Sequence, residues 1–355
     1  MMKFINQYFP KSKEIPIDEF ISNALYDKTF GYYSKKIPFG KNGDFVTAPM
    51  ISSLFSEILA LWVICLWEHL NKPSVFNVIE LGPGNGKMCK TIIKVFKKFP
   101  KFFKSTNIFL YEKSKNLEEL QKKNLLGEKI MWVKNFNIIK SGPVIFLGNE
   151  FFDAIPIKQY QKINNILYEK YIKLTNDSKI KTLFKKTKPE TIKELKKLKL
   201  LKNQSFVEFP KKGLEELDLI TDTIKRLNGG LLLIDYGFLK QENTDTLQSV
   251  KNHKKNMLFK NIGNADITSL VNFSLLKNYF KIKNLNTNNI VTQEFFLKKM
   301  GILKRAEILS KKMNFQEKSK TYYGLLRLLN SKQMGELFKV IFAFKLGKKF
   351  STGFI

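Results

Sequence analysis

Val75-Phe76-Asn77-Val78-Ile79-Glu80-Leu81-Gly82-Pro83-Gly84-Asn85-Gly86, running on into residues 87–99, is the stretch on which the fold is decided. A short apolar run ends in an acid, and a turn with three glycines follows. From Met88 apolar residues recur at helical spacing. Strand, glycine-rich turn and helix, in that order, form the context that a nucleotide-binding loop requires. Glycines let the chain turn tightly and let a ligand approach the backbone with no Cβ in the way. A dinucleotide fingerprint needs Gly-x-Gly-x-x-Gly. Here the third glycine comes one place early, and Lys87 stands at the required position. No Gly-Lys-Ser/Thr is present, which excludes a Walker loop.

Working outward, residues 107–112, 129–133, 144–150 and 230–236 are further apolar runs, with a helical pattern at 114–123. Apolar runs without alternation indicate a parallel sheet buried on both faces. Strands interleaved with helices indicate a doubly wound α/β core. Before this core, residues 17–26 have helical spacing, Gly31-Tyr32-Tyr33 follows, and Gly40-Lys41-Asn42-Gly43-Asp44-Phe45 reads as a turn. Residues 52–70 are apolar around most of a helix circumference, so that helix should be buried. The expected organisation is an N-terminal helical or lid segment at 1–72 and a core at 73–355, with an insertion at about 157–228 between the fourth and fifth strands. Within the insertion, residues 157–172 read as a hairpin turning at Asn164-Asn165, and the lysine-rich stretch 179–201 as a weakly helical, solvated excursion. Helices are expected at 294–300, 306–313 and 322–330.

The chain has 355 residues, 43% hydrophobic and 26% charged, which is too apolar for a disordered tail. Its longest apolar stretch, residues 58–67, falls short of the roughly 18 residues that span a bilayer. The N-terminus lacks the apolar segment of a secretory signal. Two cysteines, Cys65 and Cys89, exclude a disulfide framework, and His69 and His253 have no neighbours that would make a zinc site; no metal is expected. The formal net charge is +31, yet all but three of the 62 basic residues are lysines. A nucleic-acid reader would use arginine for bidentate contacts. No specific nucleic-acid partner is therefore expected, and the lysine excess reads as a codon bias.

An acid two residues before Gly-x-Gly-x-Gly resembles the pattern of S-adenosylmethionine-dependent methyltransferases, in which this segment cradles the amino-acid end of the cofactor. Glu80, Gly82, Gly84 and Gly86 are the cofactor candidates on that resemblance. Glu112 closes the second strand, where an acid can accept hydrogen bonds from both ribose hydroxyls; a solvated strand-end glutamate is the bland alternative. Asn135 stands where such enzymes contact adenine.

Several further segments carry a more specific resemblance. They are Gly31-Tyr32-Tyr33, Gly43-Asp44-Phe45-Val46-Thr47-Ala48-Pro49, Asn149-Glu150-Phe151-Phe152-Asp153-Ala154-Ile155-Pro156, Ile234-Asp235-Tyr236-Gly237, Asp245-Thr246-Leu247-Gln248 and Ala265-Asp266-Ile267-Thr268. Together with the glycine loop they resemble the MidA-like family of class I S-adenosylmethionine-dependent methyltransferases, from about residue 15 to the segment 334–340. The resemblance implies a Rossmann-like sheet and S-adenosylmethionine as cofactor. It also implies protein arginine methylation, because mitochondrial members are complex I assembly factors that methylate an arginine of a complex I subunit. The implied partner is a protein substrate, and the implied location is the bacterial cytoplasm or, in a eukaryote, the mitochondrial matrix. The oligomeric state stays open, a homodimer included. The chain departs from the family at Met50, where a glutamate is usual, and at Leu270 and Asn272, where a histidine and an aspartate are usual.

Methyl transfer from a sulfonium is an in-line displacement that needs alignment and exclusion of water. Glu150 and Asp153, at the carboxyl end of the fourth strand, are the catalytic candidates, because carboxylates orient a guanidinium by bidentate pairing. Asn149 is placed with them, to orient an acceptor nitrogen or to cap the turn. Phe151 and Phe152 wall the pocket or fill the core; Tyr32 and Tyr33 belong to a lid or to ordinary packing; Asp235 faces the cleft or caps a turn. The leading expectation is a protein arginine N-methyltransferase. The alternative is an assembly factor that keeps the fold with little or no catalysis.

Overall fold

Among the described residues the central sheet has nine strands, seven of which form its continuous path: β1 (Phe76–Leu81), β2 (Thr106–Tyr111), β3 (Met131–Val133), β4 (Val144–Asn149), β5 (Gly229–Phe238), β6 (Asn286–Thr287) and β7 (Phe338–Lys345). Their order is 3-2-1-4-5-7-6. The first five pair in parallel, with Ile79 opposite Phe109 on β2 and Phe146 on β4. β7 runs antiparallel to β5 over eight residue pairs. The computed structural model describes residues 14–35, 46–175, 179–202, 204–240 and 243–355. The turn expected at Gly40–Phe45 lies outside them.

The apolar runs of β1, β2, β4 and β5 are largely buried, as their lack of alternation requires, whereas the run at 129–133 ends the sheet's path at β3 and leaves Met131 exposed. β7 was not anticipated as a strand. It follows the short helix Met334–Leu337 and carries no acid at its end. Its side chains nonetheless join the core, Phe342 beside Trp62 at 4.9 Å between ring centroids.

Two compact units emerge from the packing. The core unit comprises Val46–Phe151, Asp218–Gly237 and Phe280–Ile355, and the accessory unit comprises Met1–Phe45, Phe152–Leu217 and Phe238–Tyr279. These boundaries do not coincide with the expected 1–72 and 73–355. Helix α1 (Ser53–His69), apolar around its circumference, lies inside the core unit, with Leu54, Phe55, Ile58, Trp62, Val63 and Leu66 buried. A helix without a polar face needs packing on every side, which explains why it joins the sheet instead of a lid. Ser52 caps it, its hydroxyl accepting from the Leu54 N–H at 3.3 Å.

In the accessory unit the expected hairpin is present, Lys158–Ile163 against Ile166–Leu174. It turns at Asn164 and Asn165 with φ of 48° and 62°, the left-handed pair that a two-residue hairpin turn demands. The lysine-rich stretch is only half helical. Ile180–Lys186 is a strand antiparallel to Ile166–Leu174, and the helix is confined to Pro189–Lys197. Helix Ile17–Tyr26 presents Ile17, Phe20, Ile21, Ala24 and Leu25 to a core shared with Tyr32, Ile157, Ile172 and Ile267. Tyr32 is fully buried there, so its role is packing.

Candidate active site

Two polar residues interrupt the apolar run of β1, and they have opposite fates. Asn77, near the amino end, is satisfied: its amide donates to Ser141 O at 2.8 Å and its oxygen accepts from Asn107 Nδ2 at 3.2 Å. Glu80, near the carboxyl end, is only 5% exposed, and its Oε2 has no hydrogen-bond partner among the described residues. Burial pushes its carboxyl up to about 8. A buried acid without compensation is costly unless something else supplies the counter-charge.

The loop beyond Glu80 is built on left-handed backbone. Gly82, Gly84 and Gly86 have φ of 59°, 56° and 79°. At Gly82 an added Cβ would stand 3.2 Å from the Phe151 ring. The loop is pinned by Gly82 N–H to Tyr111 O at 3.0 Å and Gly86 N–H to Pro83 O at 2.8 Å. Helix α2 (Lys87–Phe96) starts directly at Gly86. Lys87 donates to Met50 O at 3.2 Å, and burial together with nearby Lys320 lowers its ammonium below the usual lysine range.

Glu112 follows β2 and is 7% exposed. Its Oε1 accepts from Ser114 N–H at 2.8 Å and its Oε2 from Gln121 Nε2 at 3.0 Å. Burial raises its carboxyl above the usual range, and the Ser114 and Gln121 donors oppose that rise. Glu112 is thus not the solvated strand-end residue of the bland reading. Gln121, on helix α3 (Lys115–Asn124), also reaches Gly84 O at 2.8 Å. Sequence reasoning missed it, because one amide in a lysine-rich helix carries no motif. Asn135 is exposed, its Oδ1 accepting from Asn137 N–H at 3.1 Å.

Past β4 the backbone turns at Glu150 with φ of 50°. Glu150 Oε1 accepts from Ala48 N–H and from Asn149 Nδ2, each at 3.1 Å, while Asn149 Oδ1 is buried and has no partner among the described residues. Phe151 lies beside the glycine loop, whereas Phe152 belongs to the accessory unit, buried against Gly213. Asp153 also belongs to the accessory unit, where its carbonyl accepts from Ser269 N–H at 3.1 Å. In that unit Tyr33 donates to Asp266 at 3.2 Å and stacks on Tyr26. Asp235 lies within β5, fully buried, accepting from the Tyr236 N–H. Leu270 N–H donates to Thr246, and Asn272 caps the following helix by accepting from Leu275 N–H at 3.0 Å.

In the core unit the carboxyl ends of β1, β2 and β4 therefore hold the glycine loop with Glu80, then Glu112 with Gln121, then Asn149 with Glu150. This is the end of an open parallel sheet where ligands bind, at the strands where the order reverses. A family profile described as “Putative S-adenosyl-L-methionine-dependent methyltransferase” matches residues 58–291. The chain belongs to this family. A zebrafish (Danio rerio) relative named protein arginine methyltransferase NDUFAF7, mitochondrial, is 28% identical over 348 residues, covering 92% of this chain and 82% of its own. The human protein of the same name is 28% identical over 363 residues, covering 95% and 82%. A Burkholderia thailandensis protein solved with S-adenosyl-homocysteine bound shares the fold at TM-score 0.81 and 21% identity, over 96% of this chain and 90% of its own.

The residues present fit the methyltransferase cofactor. S-adenosylmethionine supplies an α-ammonium group and a sulfonium, and the buried Glu80 carboxyl has no counter-charge among the described residues. The left-handed glycines leave open backbone where a Cβ would crowd the approach. Glu112, its orientation fixed by donors from Lys113, Ser114 and Gln121, would accept from the ribose. When bound, the cofactor supplies the methyl group; the chain's own residues hold, orient and exclude water.

Proposed function

We propose that this methyltransferase modifies an arginine of a protein, with the acceptor guanidinium oriented by Glu150 and Asn149. The observation that carries this reading is Glu150 itself. A non-glycine residue in the left-handed region costs roughly 1–3 kcal/mol and persists only where the surroundings over-determine it. Here the Ala48 N–H and the Asn149 amide fix the carboxylate. A fixed carboxylate beside a cationic methyl donor offsets the repulsion a cationic acceptor would feel, and pairs with a planar guanidinium fork. The Asn149 carbonyl oxygen is the second acceptor atom on this turn. Asp153, the other carboxylate of the sequence expectation, belongs to the accessory unit.

The names of the zebrafish and human relatives support an arginine acceptor. A subunit of respiratory complex I is the acceptor that the family resemblance implies, and the mitochondrial matrix or a bacterial cytoplasm is the corresponding place of action. No helix among the described residues is long and apolar enough to cross a membrane. The departures at Met50, Leu270 and Asn272 favour a second reading, cofactor binding without turnover. One variant decides between them. Glu150→Gln keeps shape and removes charge; it should leave cofactor affinity and melting temperature nearly unchanged while methyl transfer to an arginine acceptor collapses. Unchanged transfer with a lowered melting temperature would assign Glu150 to holding the turn.

A further inference from the structure

Gln121 is completely buried, and every polar atom of its amide is engaged. Nε2 donates one hydrogen to Glu112 Oε2 at 3.0 Å and the other to Gly84 O at 2.8 Å. Oε1 accepts from the Trp132 indole N–H at 3.0 Å. These partners also fix which way the amide points. An indole N–H can only donate, so it must meet the oxygen; a carboxylate and a carbonyl can only accept, so they must meet the NH2 group. No other side chain of this length provides two donors and one acceptor in that arrangement. Glutamate would set a second carboxylate against Glu112 and the Gly84 carbonyl, and methionine would fill the space with none of the bonds.

The two groups that Gln121 joins serve opposite ends of the cofactor. Glu112 is placed for the ribose and Gly84 for the amino-acid end. The same helix adds a parallel tie three residues on, Asn124 Nδ2 to Asn85 O at 2.9 Å, from the face of α3 that residues three apart share. The Gln121 stem also underlies Gly86, its Cγ lying 3.7 Å from where a Cβ would stand.

We infer that Gln121 is a positioning residue of the cofactor site, one buried amide that locks the ribose acid and the glycine loop into a single preorganised receptor. It aims the carboxylate of Glu112 and fixes the peptide unit at Gly84, so that the two halves of the cofactor are received in register. Its contribution to binding passes through those two groups and depends on both being present.

Gln121→Met is the primary test, since it preserves length and volume. Calorimetry on the full chain should show S-adenosylmethionine affinity weakened about tenfold, the scale of lost hydrogen bonds to a charged partner. Adenosine, which lacks the amino-acid end, should weaken by a smaller factor. In addition, Glu112→Ala should weaken S-adenosylmethionine binding markedly in the parent protein and about threefold or less in the Gln121→Met background, because coupled groups lose their shared contribution once. A purely structural residue would lower the melting temperature and leave these ratios additive. Trp132→Phe is the second variant: it retains Gln121 but frees its amide to turn, and should weaken S-adenosylmethionine binding several-fold with little change in melting temperature. Additive losses for Glu112 and Gln121, equal losses for adenosine and S-adenosylmethionine, or an unchanged affinity in both the Gln121→Met and Trp132→Phe proteins overturns the assignment.

Discussion

The turns after β1 and after β4 stand at neighbouring strand ends of one sheet, and both leave the strand on left-handed backbone. They reach that backbone by different means. After β1 the positive φ values belong to Gly82, Gly84 and Gly86, for which such a conformation is nearly free. After β4 the positive φ belongs to Glu150, which must be held there. The first turn exposes main chain to a ligand and needs no side chain. The second must deliver a carboxylate to a fixed place, so it accepts strain. On the proposed function, the β1 turn would receive the cofactor and the β4 turn would act on the acceptor.

The largest effect should come from breaking the second turn's chemistry. Glu150→Gln should cut methyl transfer by roughly two to three orders of magnitude, the range for one preorganised electrostatic group, with cofactor affinity spared. Radiolabelled methyl transfer to an arginine-containing protein measures this, and a loss of affinity matching the loss of rate would erase the division between the turns. On the receptor side, Glu112→Ala should weaken S-adenosylmethionine by roughly 1–3 kcal/mol in calorimetry. Gly82→Ala should cost about 1–2 kcal/mol, from strain at φ +59° and from the 3.2 Å approach to Phe151, and should appear in both melting temperature and affinity.

A gentler lever is pH. The Glu80 carboxyl sits at about 8 in the fold against an ordinary value of 4.5, so the folded protein holds this proton more tightly than the unfolded chain. Its stabilising share is complete below the unfolded value and is lost as pH rises through about 8. A cationic cofactor favours the ionised acid, so affinity should increase across the same window, with proton release on binding. Glu80→Gln should flatten both trends; identical pH profiles for the two proteins would contradict the assignment. The smallest effect on stability is expected from Glu150→Gly. Relief of the left-handed strain opposes the lost side-chain contacts, leaving stability within about 1 kcal/mol while turnover disappears.

Much of this is legible in the sequence. β1, β2, β4 and β5 announced themselves because strands buried on both faces cannot alternate, and the glycine loop because its spacing has few other uses. The Asn164-Asn165 turn was legible for a similar reason, since few residues accept two successive positive φ values. What stayed hidden depended on partners distant in sequence. β6 has two residues and no pattern of its own. Strand Ile180–Lys186 has polar residues on both faces, so its composition resembled a solvated helix. Gln121 matters only because Glu112, Gly84 and Trp132 converge on it.

Strand Ile180–Lys186 pairs with Ile166–Leu174 on one side and, among the described residues, with no strand on the other. It carries Lys181, Lys185 and Lys186, with Phe184 half-exposed among them. An open row of backbone donors and acceptors is a template on which a second copy of the chain can extend the sheet, and repeated extension yields fibres. Closely spaced ammonium groups make that approach electrostatically unfavourable. Whatever genomic bias supplied the lysines, at this edge they act as a colloidal safeguard. A chain with these three replaced by threonine should keep its fold and grow steadily more prone to gel or fibrillise as its concentration rises.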